Sequence, residues 1–467
     1  MSDSVKDADA RLIQKYGERA FMYTEYPNMR FWSKEMGDRE YRRALAEFFI
    51  KNPDSPIQLY VHFPYCTKMC WFCTCPVKIS KDYSIAKRYL DYLCREIELL
   101  KNFCDALRIN LNVREIHFGG GSPTDLKEAD FDVLVDALAT VADISKVDEL
   151  AIEIDPRHVK QDKMKYYYSK GINRISFGVQ DFDIEVQRAV GRVQPADLTE
   201  RLLTPEIRTL FPNGISFDII CGLPKQTAET IKRTMEKIVE IAPDRICFNY
   251  LHYRPDIFTH QTLMAEHGLP DNFERKKLFQ AGLEVLERGG YLRVGYDHFA
   301  KPTDDLVEAL KKKKIQWNRL GPATGRYTGV IALGISGQTT LWPEWYFQNV
   351  QVSNDEVLYN IAMEKYESYI EEGKFPIFHG YRLSADDVER REIIHSLRNY
   401  FEVCIPNPSD IDMPWSDIFH REYEELKQFA EDGIVDLSEP DFIHITPIGL
   451  QFVDKVCEVF DAYKTRA

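Results

Sequence analysis

The chain has 467 residues, 44% of them hydrophobic, and a formal net charge of −14. That length allows two or three domains around a large buried core, and the acidic excess argues against binding along a phosphate backbone, where cations must displace condensed counterions. No apolar run is long enough to cross a bilayer, and the opening Met-Ser-Asp-Ser-Val-Lys-Asp-Ala-Asp is too polar for a signal peptide.

Residues 1–54 are polar and aromatic, with Tyr23-Thr-Glu-Tyr26-Pro27 as their most distinctive run, and read as an N-terminal arm or cap. From 55 to 350, short β-branched and aromatic runs alternate with amphipathic stretches. The runs are 57–63, 115–118, 150–154, 174–177, 215–221 and 245–250, and helical periodicity fills intervals such as 86–101 and 131–142. Strand and helix in alternation predict a parallel sheet with right-handed crossovers, whose chemistry lies at the carboxyl ends of the strands. Periodicity alone fits a partial barrel and a doubly wound sheet equally. The basic run 311–314 reads as a solvated helix end. Residues 351–467 read as a mostly helical domain: Ser384 is an N-cap with acids in the first turn, 433–437 and 443–447 suggest a hairpin, and 447–463 a last helix.

The first predicted strand runs into Cys66-Thr-Lys-Met-Cys70-Trp-Phe-Cys73-Thr-Cys75. Gaps of three, two and one suit a four-iron cubane held by thiolates of one tight loop, with one iron left open. A zinc knuckle is the competing reading; no second Cys or His pair follows at finger spacing. Ten cysteines, four of them clustered, suit a reduced, cytoplasmic protein. An open-iron cluster also implies a low-oxygen setting.

The loop resembles the CxxxCxxC signature of the radical SAM superfamily. Its approach, Tyr60-Val-His-Phe-Pro-Tyr-Cys66, and the extended pattern CxxxCxxCxC resemble the oxygen-independent coproporphyrinogen III oxidase family. The resemblance implies an α/β fold, a partial (βα)6 TIM-type barrel with the N-terminal arm and the helical C-terminal domain. It implies a [4Fe–4S] cluster on Cys66, Cys70 and Cys73, S-adenosylmethionine (SAM) on the open iron, and Cys75 as a non-ligand cysteine that matters for activity.

The remaining motifs follow the strands. Gly119-Gly-Gly121-Ser-Pro-Thr124 can let the backbone approach a ligand closely; by resemblance Gly120, Gly121 and Ser122 hold the SAM amino group. In Ile152-Glu-Ile-Asp155-Pro, period-two alternation puts Glu153 and Asp155 on one face. A plain helix cap suits Asp155, and the resemblance assigns Glu153 to SAM. Gln180 offers a donor and an acceptor to ribose hydroxyls or the methionyl group, Arg192 a fork for the SAM carboxylate, and Asp218 a ribose contact. Tyr60, Phe72 and Leu251 complete the implied cofactor set. The implied catalytic set is Cys75, Tyr60, Arg319 and Gln338. Phe248-Asn-Tyr250, Gly295-Tyr-Asp297-His298-Phe-Ala300-Lys-Pro302 and Arg390-Arg391-Glu-Ile-Ile extend the resemblance across nearly the whole chain.

Departures from the family pattern gather around the substrate. Met22 stands where the family has Arg, and Glu25 where it has Ser. Arg319 and Leu320 replace Phe and Gln, Gln338 replaces Ile, and Leu251 replaces Ala. A tetrapyrrole with four carboxylates needs cations, so the changes at 22 and 25 weigh against it.

Two chemistries remain open. One is oxidative decarboxylation of coproporphyrinogen III in porphyrin biosynthesis. The other is methyl transfer, cyclopropanation or haem opening on another substrate with a second SAM. Each begins with reductive SAM cleavage to a 5′-deoxyadenosyl radical and hydrogen abstraction from the substrate. A haem-binding chaperone relative would carry a His-Asn-x-x-Tyr-Trp motif that this chain lacks. The expected partners are a small-molecule substrate and a low-potential flavodoxin- or ferredoxin-type donor. A cytoplasmic monomer without nucleic-acid or membrane partners is expected.

Overall fold

In the computed structural model of the chain, the described residues are 3–17, 23–405, 415–439 and 441–464. Alternation along each strand decides what faces the helices. In β1 (Pro56–Phe63), Ile57, Leu59, Val61 and Phe63 enter the main hydrophobic core. Gln58, Tyr60 and His62 point the other way, into the lumen of the sheet. The same parity recurs in β2 (Asn112–Gly120), β3 (Glu149–Ile154), β4 (Arg174–Gln180), β5 (Gly214–Cys221) and β6 (Arg245–Tyr250). It turns Glu115, His117, Glu149, Arg174, Ser176, Ser216, Asp218, Arg245 and Cys247 toward one polar cavity of about 130 Å³.

The sheet continues through β7 (Leu292–Val294), β8 (His298–Ala300), β9 (Gly329–Leu333), β10 (Gln338–Leu341), β11 (Trp345–Asn349) and β12 (Ile377–Arg382). Its twelve strands lie in the order β12-β11-β10-β9-β1-β2-β3-β4-β5-β6-β8-β7. The run from β9 through β1 to β6 is parallel, and antiparallel strands extend both ends. The six expected strands are all present. A seventh parallel strand, β9, joins the far side of β1. The expected boundary at 350 falls within the sheet's chain path, because β12 pairs with β11 after the helix α2 (Glu356–Glu371). A six-residue strand containing glycine carries too little pattern to announce itself.

The first crossover helix, α1 (Tyr83–Leu107), is longer than its periodicity suggested and starts at an Asp82 cap. In the C-terminal part, Ser384 caps α3 (Ala385–Tyr400) with a reciprocal capping box to Asp387. The expected hairpin is Val435–Asp436 against Phe442–Ile445, joined by a third strand, Glu402–Cys404. The last helix is shorter than expected, Val453–Val459. Leu12, Ile13, Tyr23 and Tyr26 of the arm sit in the C-terminal hydrophobic cluster. Ser33 and Gly380 exchange backbone hydrogen bonds of 2.8 and 3.0 Å at the edge of β12. Among the described residues no helix is long and apolar enough to cross a membrane.

Candidate functional site

The cysteine loop leaves β1 and is pinned from several sides. Gly121 N–H donates to Phe63 O (2.7 Å) and Ser122 N–H to Tyr65 O (2.8 Å), while Trp71 N–H donates to Val190 O (3.1 Å). Gln261 Nε2 donates to Phe72 O (3.1 Å), and His260 Nε2 lies 2.8 Å from Cys73 O. These contacts explain the glycines. A Cβ on Gly121 would stand 2.6 Å from Tyr65 O, and one on Gly191 (φ +67°) would stand 2.8 Å from the Trp71 indole. The N–H groups of Gly121 and Ser122 are therefore already engaged by the cysteine loop and the strand before it.

The thiols meet a concentrated positive charge. Cys70 Sγ accepts from Arg192 Nη1 at 3.2 Å and from Arg157 Nη2 at 3.7 Å. Asp155 is not a simple helix cap: it binds Arg157 through both oxygens and lies 3.5 Å from Arg192. Burial opposes its ionisation, yet the two guanidinium groups hold the carboxyl well below the usual range. Arg192 also donates to Gln194 Oε1 (3.0 Å) and Gly178 O (2.8 Å). A hydrogen bond between the Cys73 and Cys75 thiols lowers the former and raises the latter, and burial pushes the Cys66 thiol up. Among the described residues no three His, Cys, Asp or Glu side chains converge as around one ion. Three thiolates of a cubane each take a different iron, so such a cluster does not need them to converge on one ion.

Above the lumen, Glu153 is set by two donors: Gly120 N–H reaches Oε2 at 3.2 Å, and His117 Nε2 lies 3.1 Å from Oε1. The Tyr60 hydroxyl is 2.9 Å from His62 Nδ1, and His62 Nε2 faces Pro76 O at 3.4 Å. Burial lowers His62 to about 4, so the imidazole is neutral at ordinary pH and can accept the Tyr60 proton bond. Burial and the Glu153 charge raise Asp218 to about 6, and Ser176 Oγ donates to it at 3.4 Å. Gln180 holds a left-handed backbone, φ +67°, a strained state for a non-glycine residue. Phe72, Trp71, Val190 and Leu251 share one apolar cluster beside the loop.

At the rim, Arg319 Nη1 donates to Gln338 Oε1 (3.1 Å) and lies 3.7 Å from Glu25 Oε2. Glu25 is buried and the Arg319 side chain is 48% exposed. Met22 lies outside the described residues. Leu320 lines the lumen cavity with His298, whose Nδ1 is 2.6 Å from Asp297 Oδ1.

The sequence model of the radical SAM superfamily matches residues 60–238. Over 465 residues the chain is 32% identical to the oxygen-independent coproporphyrinogen III oxidase of Escherichia coli (strain K12), covering 99% of this chain and 97% of that protein. It is 33% identical to the enzyme of the same name from Pseudomonas aeruginosa over 459 residues, covering 97% and 96%. The solved structure of coproporphyrinogen III oxidase (HemN) from Escherichia coli, described as a radical SAM enzyme, superposes with a TM-score of 0.82 at 31% identity, covering 94% and 97%. The chain belongs to the oxygen-independent coproporphyrinogen III oxidase family.

As a member of that family it is a radical SAM enzyme, an oxidoreductase of α/β partial-barrel fold acting on a small molecule with a [4Fe–4S] cluster and SAM. Its residues fit those groups. Three cysteines share one pinned loop beside two guanidinium groups, and Ser122 Oγ, next to the glycine turn, is buried with no hydrogen-bond partner among the described residues.

The expected residues fall into contact groups. Cys70 meets Arg192; Cys73 meets Cys75; Gly120 meets Glu153; Phe72 and Leu251 share a cluster; Arg319 meets Gln338. Asp218 is joined to Glu153 through its charge, and Gln180 makes no hydrogen bond to another expected residue among the described residues. Sequence reasoning missed the residues that orient these groups: His117, His62, Arg157, His260 and Gln261. His62 stands two residues after Tyr60 in β1 and His117 two after Glu115 in β2, lumen-facing positions that alternation marks. Arg157, His260 and Gln261 sit on connections, where spacing carries no signal.

Proposed function

We propose that the chain oxidatively decarboxylates propionate side chains of coproporphyrinogen III. Similarity to the oxidases over 99% of the chain, arm and C-terminal region included, carries this reading. Cys66, Cys70 and Cys73 would hold the cluster, and when bound, cluster and SAM together supply a 5′-deoxyadenosyl radical by one-electron cleavage. Carbonyls of the Gly120–Gly121–Ser122 turn would receive the SAM ammonium. Arg192 would share its fork between the Cys70 sulfur and the SAM carboxylate. Glu153, fixed by His117, and Asp218 and Gln180 would receive hydroxyl and amino groups of the nucleoside, with Phe72 and Leu251 against the adenine. Tyr60 and Cys75 would adjoin the reacting groups. Arg319 would meet a substrate carboxylate with the part of its fork that Gln338 and Glu25 do not hold. A cytoplasmic monomer reduced by a flavodoxin- or ferredoxin-type donor completes the reading.

The Arg319–Gln338–Glu25 contact favours a second reading. The family pattern expects other residues at all three positions, and Arg319 touches both of the others, so the three form one unit at the rim. Such a unit suits a different substrate, methylated or otherwise modified with a second SAM. Anaerobic incubation with coproporphyrinogen III and methyl-labelled SAM tests both. Vinyl products support the first reading and label in a product the second. Formation of 5′-deoxyadenosine with the tetrapyrrole unchanged excludes coproporphyrinogen III as substrate.

A further inference from the structure

We propose that Arg157, clamped by Asp155, acts through Cys70 to set the reduction potential of the cluster. The inference rests on reading the cysteine loop as a cluster site and adds the residues that tune it.

The first observation is geometry. Arg157 Nη2 lies 3.7 Å from Cys70 Sγ, and Arg192 Nη1 reaches the same sulfur at 3.2 Å. Among the described residues, Cys70 is the one thiol of the loop that accepts from a guanidinium group, and it accepts from two. Arg157 Nη2 carries two hydrogens. One goes to Asp155 Oδ2 at 2.5 Å, which leaves the other for the sulfur.

The second observation is how Arg157 is held. Its Nε donates to Asp155 Oδ1 at 2.9 Å, and its backbone N–H donates to the same oxygen at 3.0 Å. The two side chains are 14 and 12% exposed. A buried ion pair adds little net stability, because desolvation offsets the attraction. This pair is two residues apart on the connection after β3, so it closes almost no chain. Its effect is to fix one guanidinium group in one orientation, with a hydrogen on Cys70.

The third observation is charge. Asp155 lies 3.5 Å from Arg192 Nη1 as well. Two cations and one anion therefore stand beside Cys70, a positive surplus. Asp155 and Asp125 also act on Cys66, where Asp125 faces His158 Nδ1 at 3.1 Å, so the surplus is centred on Cys70. Three thiolates already make the cluster anionic, and reduction adds one more negative charge. Cations and N–H donors at a ligating sulfur favour that state. One electron enters from a low-potential donor, and no bond breaks in this step. Arg192 is also read as the partner of the SAM carboxylate. Arg157 has no such second task, so its removal isolates the effect. It is a positioning residue that works through the sulfur.

The test uses the full chain with its cluster, without SAM or substrate. Dithionite titration, followed by the electron paramagnetic resonance of the reduced cluster, gives the midpoint potential. Arg157→Gln is expected to keep wild-type iron and to be about tenfold harder to reduce, a midpoint about 59 mV lower. Arg157→Lys keeps the charge and should recover part of that difference. Asp155→Asn removes the anion and leaves both guanidinium groups, so its midpoint should rise above the wild-type value. A pair that only braces the loop would not give shifts of opposite sign. Wild-type midpoints in Arg157→Gln and Asp155→Asn, or shifts in the same direction, overturn the proposal. Where Arg157→Gln loses iron, Asp155→Asn decides: a midpoint not above wild type overturns it. Iron loss in both makes the pair a brace and overturns it too. A wild-type chain that takes up no cluster is read separately, as failure of the cluster reading. No turnover is measured, so decarboxylation stands or falls on its own assay.

Discussion

Arg192 Nη1 lies 3.2 Å from Cys70 Sγ, and the same guanidinium holds Gly178 O and Gln194 Oε1. One cation thus binds the cysteine loop to the end of β4. Lysine offers a point charge in place of a planar fork and cannot reach all three acceptors. Arg192→Lys is expected to raise the KM for SAM about tenfold or more in a 5′-deoxyadenosine assay, with the loss of affinity larger than any loss of bound iron.

Gly121 is a steric requirement. A Cβ there meets Tyr65 O at 2.6 Å and Tyr65 N at 2.8 Å, backbone atoms that cannot rotate away. Gly121→Ala should displace the loop, with overpacking costing about 1–3 kcal/mol and reconstituted iron falling severalfold. Gly37→Ala, whose Cβ would have no atom within 4 Å, is the control and should match the wild type in iron content, with at most the small melting loss of an N-cap alanine.

The cysteines should separate by role. Cys66→Ala is expected to abolish 5′-deoxyadenosine formation and to lower bound iron. Cys75→Ser should retain about four irons per chain and the reduced-cluster spectrum while losing substrate turnover. Equal iron loss in the two variants would make Cys75 a ligand.

Glu96 sits fully buried on α1, accepting from Tyr366 OH (2.6 Å), Gly334 N (2.9 Å) and Asn349 Nδ2 (3.2 Å). Burial raises it to about 7 despite these donors. In the unfolded chain a glutamate titrates near ~4.3, so between these values the folded state binds the extra proton. Stability therefore falls as pH rises from about 4.5 to 7 and is level above, a change of order 3 kcal/mol. Melting temperatures from pH 5 to 8 should fall in the wild type, and this contribution to the slope should vanish in Glu96→Gln, whatever the variant's own stability.

Arg319 is held at one nitrogen by Gln338 and half open to the lumen rim. Arg319→Gln removes a charge-assisted contact of about 1.5–3 kcal/mol. The KM for a carboxylate-bearing substrate should rise about tenfold to a hundredfold, while SAM cleavage without substrate stays unchanged. An unchanged KM would remove Arg319 from substrate recognition.

The parallel strands and the cysteine loop were legible because both are local signals: apolar residues at every second position, and four thiols within one turn of chain. Glu153 was legible as a strand-end acid. Its partner His117 was overlooked, although it occupies a lumen-facing position of β2, because a lone histidine in a strand carries no chemistry until the sheet places it against a carboxylate. The Arg157–Asp155 pair hid behind a plausible helix cap. β9 hid among later motifs, because five apolar residues can belong to a strand or a helix. The rim unit Arg319–Gln338–Glu25 spans about three hundred residues of sequence, and only the fold brings it together.

The unpaired outer edges of the sheet have a mechanical consequence. A sealed cylinder can change its bore only by tearing rungs from its ladder. Here β12 and β7 are opposite ends of one ribbon, so the sheet's own ladder leaves its bore open on one side. On the β12 side the Ser33–Gly380 pair adds two rungs from the arm, and Trp32 of the arm stacks on Tyr346 of β11 beside it. The arm thereby closes the sheet's free edge with its own backbone and aromatic rings, a lid made of chain that precedes the first strand.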